Sequence, residues 1–223
     1  MPPLRQAQLL LVLLPLLLLS LTACPSIERV DGDARLLREG EELFQRGDYL
    51  NSSLRLERYI RSASASPQMS RARYWMGLCS LKLNRPKDAC EYLKSAEKVS
   101  VETWLYAIGI ASMRSGDMTG GRGYLEQLAR QYPQGPEGKK AAEKLALTAA
   151  GYAVQLGYYS NGENAKRVAQ TGAEKGLRTS IKRLDSGTGE AYYVISGPYA
   201  SWSDALREAD RIKAMGLDAV AIP

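Results

Sequence analysis

The last third of the chain repeats itself at an offset of 40 residues, and that constrains its fold more than any other feature. With residues 152–183 written above 192–223, Tyr152 meets Tyr192, Val154 meets Val194, Gly157 meets Gly197 and Tyr159 meets Tyr199. Ala165, Arg167 and Ala169 then meet Ala205, Arg207 and Ala209, and Gly176-Leu177 meets Gly216-Leu217. Nine of 32 positions are identical without a gap, where average residue usage gives about two. Each half reads strand, helix, strand. Tyr152 to Gly157 alternates, and Ala165, Val168, Ala169 and Gly172 fall at helical spacing. Ser201 and Asp204 form a capping box, and Gly176 and Gly216 stop the two helices. Leu177–Leu184 and Leu217–Ile222 supply the returning strands. Two such βαβ halves predict a four-stranded sheet with two helices on one face and the other face open.

Residues 33–150 carry a second repeat. Gly40, Gly77 and Gly109 each precede a turn by seven residues: Gly47-Asp48-Tyr49, Asn84-Arg85-Pro86 and Gly116-Asp117-Met118. Apolar residues keep helical spacing on both sides of each turn, as at Leu36, Leu37, Leu43 and Phe44. The pattern resembles the tetratricopeptide repeat, a helical hairpin of about 34 residues. The small residues Gly40, Gly77 and Gly109 let paired helices approach, Ala89 and Ala96 keep the second helix close to its neighbours, and Ser52 and Gly121 depart from the pattern where Ala89 stands. Residues 137–149 read as a helix closing the stack. The fold class is therefore α followed by α/β, with helical hairpin repeats ahead of the duplicated sheet domain. Stacks of this kind hold a peptide or a partner protein, here unidentified, or serve as a spacer.

The first residues have a different purpose. Arg5, the apolar run around Pro15 and the small residues Thr22 and Ala23 lay out a secretory signal. Leu21-Thr22-Ala23-Cys24 resembles the lipobox of bacterial lipoproteins, in which the cysteine is acylated and the signal is removed immediately ahead of that residue. The expected order is a signal peptide at 1–23, a lipidated linker at 24–32, repeats at 33–150 and the sheet domain at 151–223. Pro25, rather than an aspartate, follows Cys24. By the sorting pattern of such lipoproteins this points to the periplasmic face of the outer membrane.

Composition removes several chemistries. The chain has no histidine, which excludes Ser-His-Asp and Cys-His catalysis and the commonest metal ligand. No metal, cofactor or catalytic residue is assigned, and no enzyme activity is expected. The net charge of +6 divides into +1 from Arg5, +4 over residues 25–150 and +1 over 151–223. That is too dispersed for the basic stripe of a nucleic-acid binder. Beyond Cys24, Cys79 and Cys90 sit on successive helices of one hairpin, where either a disulfide or two buried thiols fits.

The sheet domain closely resembles the SPOR (sporulation-related repeat) domain, which has an RNP-like layout. Tyr152-Ala153-Val154-Gln155-Leu156-Gly157 matches its first strand, Gly197-Pro198-Tyr199 its second-half turn and Gly216-Leu217-Asp218-Ala219 its closing strand. The resemblance implies binding of peptidoglycan glycan strands stripped of stem peptides, which collect where amidases work at a dividing septum. Strand alternation assigns Gln155, Tyr193 and Ile195 to the glycan face, with Tyr158, Ser160 and Trp202 at its rims. The amide of Gln155 suits sugar hydroxyls and the ring of Tyr193 suits a pyranose. The family's third strand often carries outward arginines. Tyr193 and Ile195 in their place shift the expected contact toward stacking. If the sheet does not take glycan, a protein ligand is the alternative.

Overall fold

The computed structural model describes residues 26–62, 66–149, 151–185 and 189–223. Cys24 and the signal segment lie outside them. Seven described helices come first: α1 (Ser26–Gln45), α2 (Tyr49–Ser62), α3 (Met69–Lys82), α4 (Pro86–Lys94), α5 (Val101–Arg114), α6 (Met118–Gln131) and α7 (Pro136–Leu147). They pair in sequence as three antiparallel hairpins, closed by α7. Residues 26–32, expected to be linker, instead continue α1.

The turns form where left-handed backbone is cheap. Gly47 and Gly116 adopt φ of +81° and +107°, and Asn84 takes φ of +56° in the middle hairpin. Asp117 then accepts from the Gly120 amide at 2.8 Å and caps α6. The three repeat glycines do equivalent work. A Cβ on Gly40, Gly77 or Gly109 would approach Leu56, Leu93 or Leu125 to 2.8, 2.6 or 2.8 Å. Each partner lies sixteen residues onward and is fully buried. Gly121 is tighter still, since a Cβ there would lie 2.4 Å from Met113 and 2.6 Å from the Gly109 carbonyl. Ser52 is buried at the matching crossing and donates to the Gly40 carbonyl at 2.7 Å.

Apolar burial, at about 25 cal/mol per Å², comes from two clusters in this half. Leu36, Leu37, Leu56, Tyr59 and Met76 form one. Leu93, Trp104, Ile108, Leu125 and Leu128 centre the other. Both thiols are free: Cys79 is buried against the Ser52 hydroxyl, and Cys90 lies near Ser112 and Ser115.

The second half runs β1 (Tyr152–Tyr159), α8 (Gly162–Glu174), β2 (Thr179–Asp185), β3 (Glu190–Tyr199), α9 (Trp202–Ala214) and β4 (Val220–Ile222). The sheet order is β2-β3-β1-β4, with every neighbouring pair antiparallel. Tyr152, Val154, Leu156 and Val194 point to α8 and α9, as alternation predicts. Asn161 and Ser201 cap the two helices by accepting from the Glu163 and Asp204 amides.

The face away from α8 and α9 is not open along its width. Helix α7 lies across it, and Leu147 packs with Ala153, Ala191, Tyr193, Ile195 and Ile222. The cause is a helix with two apolar sides. Ala141 and Leu145, one turn apart, face the repeats, while Leu147 faces the sheet.

Candidate functional site

Pairing fixes the layout of the outward sheet face. Tyr193 of β3 stands between Lys182 of β2 and Tyr158 of β1. Two residues further along, Ile195 stands between Ser180 and Gln155, and Gln155 is followed by Val220 of β4. Burial runs diagonally through this grid. Ala153, Ile222, Ile195, Tyr193 and Ala191 are buried, which traces the path of α7 from the start of β1 toward the end of β2. Two corners stay free. Tyr158 (53 % exposed), half-buried Gln155 and Val220 (62 % exposed) form one, and Ser180 and Lys182 form the other.

The six residues expected to meet a ligand are thus divided. Gln155 and Tyr158 share the first corner, and Ser160, just past the end of β1, is exposed. Tyr193 and Ile195 are 5 % and 7 % exposed, because Leu147 and its neighbours cover them. Tyr193 still supports the corner from beneath, its ring centroid 5.1 Å from that of Tyr158 at 55°. Burial, and the Glu143 carboxylate beside it, push the Tyr193 phenol above its ordinary value. A groove of about 480 Å³ runs along this contact between α7 and the β2 edge, lined by Lys139, Glu143, Leu184 and Tyr193. Trp202 is not a rim residue of the sheet. It is 8 % exposed and packs into the junction between the two halves.

That junction has its own geometry. The Trp202 indole N–H donates to the Asn84 side chain at 3.3 Å, the Arg114 guanidinium lies 4.6 Å from the Trp202 ring centroid, and Tyr152 donates to the Met113 carbonyl. A cleft of about 540 Å³ opens beside these groups. Sequence reasoning passed over Val220 and Arg114. The register of β4 places the first, and only the three-dimensional junction picks out the second.

The SPOR domain model matches residues 148–223, and two tetratricopeptide-repeat models match residues 37–100 and 105–135. No curated protein matches the sequence. Among solved structures, the C-terminal TPR-containing domain of a Plasmodium falciparum FK506-binding protein aligns at 16% identity. It covers 55% of this chain and 94% of its own length, with a TM-score of 0.43. A K341M mutant of the Thermobaculum terrenum O-GlcNAc transferase aligns at 18% identity over 67% of this chain, with a TM-score of 0.45. This chain covers 27% of that enzyme. Neither likeness adds to the fold at these scores. The chain thus carries tetratricopeptide repeats followed by a SPOR domain, both of them non-catalytic binding modules. Among the described residues no helix is long and apolar enough to cross a membrane.

Proposed function

We propose that this chain is a lipoprotein of the bacterial envelope that grips peptidoglycan glycan strands with its SPOR domain and holds a partner protein on its repeats. Acylation of Cys24 would fix it to a membrane, on the sorting pattern of Pro25 the periplasmic face of the outer membrane. Several acyl chains on one residue suffice for stable anchoring, at about 0.8 kcal/mol per buried methylene. The place of action is a site of wall remodelling or division, where stripped glycan strands accumulate. No bond is made or broken.

One observation carries the glycan reading: the SPOR match over 148–223 falls on a sheet whose outward face keeps an exposed aromatic beside an amide, Tyr158 beside Gln155. Tyr158 would stack on a pyranose, Gln155 and Ser160 would bond its hydroxyl and acetamido groups, and Val220 would border the contact. Tyr193 would hold the Tyr158 ring in place.

The test is cosedimentation of the full-length protein, in detergent, with amidase-treated and untreated sacculi. Retention on treated sacculi, lost in Tyr158→Ala plus Gln155→Ala, is expected. Equal failure on both sacculi would reject glycan as the ligand and favour protein, a reading supported by the protein helix that already lies on this sheet. Replacement of Cys24 by Ser should release the chain from membrane fractions.

A further inference from the structure

Arg114 ends α5, points into the 540 Å³ cleft, and has its Nε buried without a hydrogen-bond partner. Among the described residues no carboxylate pairs with it. The titratable groups coupled to it are the Tyr106 phenol and another cation, Lys144, whose proton Arg114 helps to drive off. Burial pulls the guanidinium below its ordinary value. Two features hold the cation without neutralising it. The Trp202 ring lies against it at 4.6 Å, and the carbonyls ending α5 carry partial negative charge. A partly buried guanidinium ordinarily meets a carboxylate or phosphate in a two-pronged bond. Here the buried Nε–H has no acceptor among the described residues, and a space of ligand size adjoins the Arg114 side chain.

The rest of the cleft suits an acidic sugar. Ser115, Ser201 and Ser203 bring hydroxyls to its wall. Helix α9 begins there, with the positive end of its dipole set against the Asp204 carboxylate of its first turn. We propose that this cleft is a second glycan subsite, in which Arg114 binds the lactyl carboxylate of a muramic acid residue that has lost its stem peptide. This rests on the glycan reading above and adds a physical source of selectivity. In an intact strand the same carbon is an amide, which is neutral and carries the peptide. It can neither pair with Arg114 nor fit beside Trp202. A site built to pair a charged group rejects the analogue lacking it more strongly than an apolar pocket rejects a methylene. Tyr152 lines the cleft and Tyr158 lies six residues along β1, about 20 Å away.

The experiment measures binding of full-length protein to glycan oligosaccharides released from amidase-treated sacculi, either native or with their lactyl carboxylates converted to primary amides by carbodiimide and ammonia. Wild type should lose on the order of tenfold in affinity on amidation. Arg114→Gln should lose about as much on native glycan and nothing further on amidated glycan. Equal wild-type affinity for both probes overturns the proposal while leaving glycan binding intact. So does an Arg114→Gln variant that keeps native affinity. Failure of wild type on native glycan rejects the glycan function itself. Should Arg114→Gln melt early, the wild-type comparison of the two probes still decides whether the carboxylate is read, and Arg114→Lys tests the position with charge kept.

Discussion

The rings of Tyr158 and Tyr193 lie 5.1 Å apart, yet one is 53 % exposed and the other 5 %. The first faces solvent at the sheet corner and the second is clamped under α7. Their substitutions should therefore separate function from stability. Tyr193→Ala removes a buried aromatic and should cost roughly 3 kcal/mol, read as a lower melting temperature. Tyr158→Ala should leave the unfolding free energy within about 1 kcal/mol of wild type and weaken retention on amidase-treated sacculi.

Gly77 tests the packing of the repeats. A Cβ there would stand 2.6 Å from Leu93 Cγ, in a helix pair with no slack. Gly77→Ala should destabilise by about 1–3 kcal/mol in chemical denaturation. Gly47→Ala meets nothing within 4 Å, so its cost comes from the positive φ alone, about 1 kcal/mol. Combining Gly77→Ala with Leu93→Val should cost less than the two singly, because both act on one contact.

Lys144 gives the protein a particular pH response. Burial, with help from the Arg114 charge and against the pull of Glu143, lowers its pKa from 10.5 to about 8. The folded chain thus gives up this proton before the unfolded chain does, so stability rises as pH climbs from about 8 toward 10.5. The Cys79 thiol acts in reverse. Burial raises it from 9.0 to about 11, so its contribution falls as pH climbs through that range. Between pH 8 and 9 the lysine dominates. Urea midpoints should rise over that interval in wild type and fall slightly in Lys144→Met, where only the Cys79 effect remains.

The two thiols should react differently. Cys79 is fully buried, touches the Ser52 hydroxyl and holds its proton to about pH 11. Cys90 is only partly buried. Iodoacetamide at pH 8 should label Cys90 in the native protein and reach Cys79 only on unfolding, as peptide mass spectrometry would read directly. Equal labelling rates in the native state would contradict this packing.

Much of this was legible in the residues. Gly40, Gly77 and Gly109 announce the hairpins, because an absent Cβ at a tight crossing is itself a sequence signal. The offset of 40 residues announces the sheet, because alternation and helix caps repeat within it. The cover on the sheet was not legible. Leu147 reads as the last apolar residue of a closing helix, and nothing local says that it meets Tyr193 rather than solvent. Arg114 was equally hidden. A cation in the last turn of a helix is ordinary by sequence, and its missing partner is a property of elements about 90 residues apart that meet at Trp202.

Helix α7 also bears on where one protein module stops and the next begins. A cut at residue 150 looks clean on paper, since repeats lie before it and a duplicated sheet after it. Made physically, it would strip the sheet of its cover and lay bare Ala153, Tyr193, Ile195 and Ile222 as one sticky patch. It would equally leave Leu147 on the other fragment with nothing to touch. The two halves are not cassettes that can be exchanged among proteins at that seam. Any transplant of the C-terminal part must carry Pro136–Leu147 with it, and the inheritable unit is longer than the repeat that first marks it.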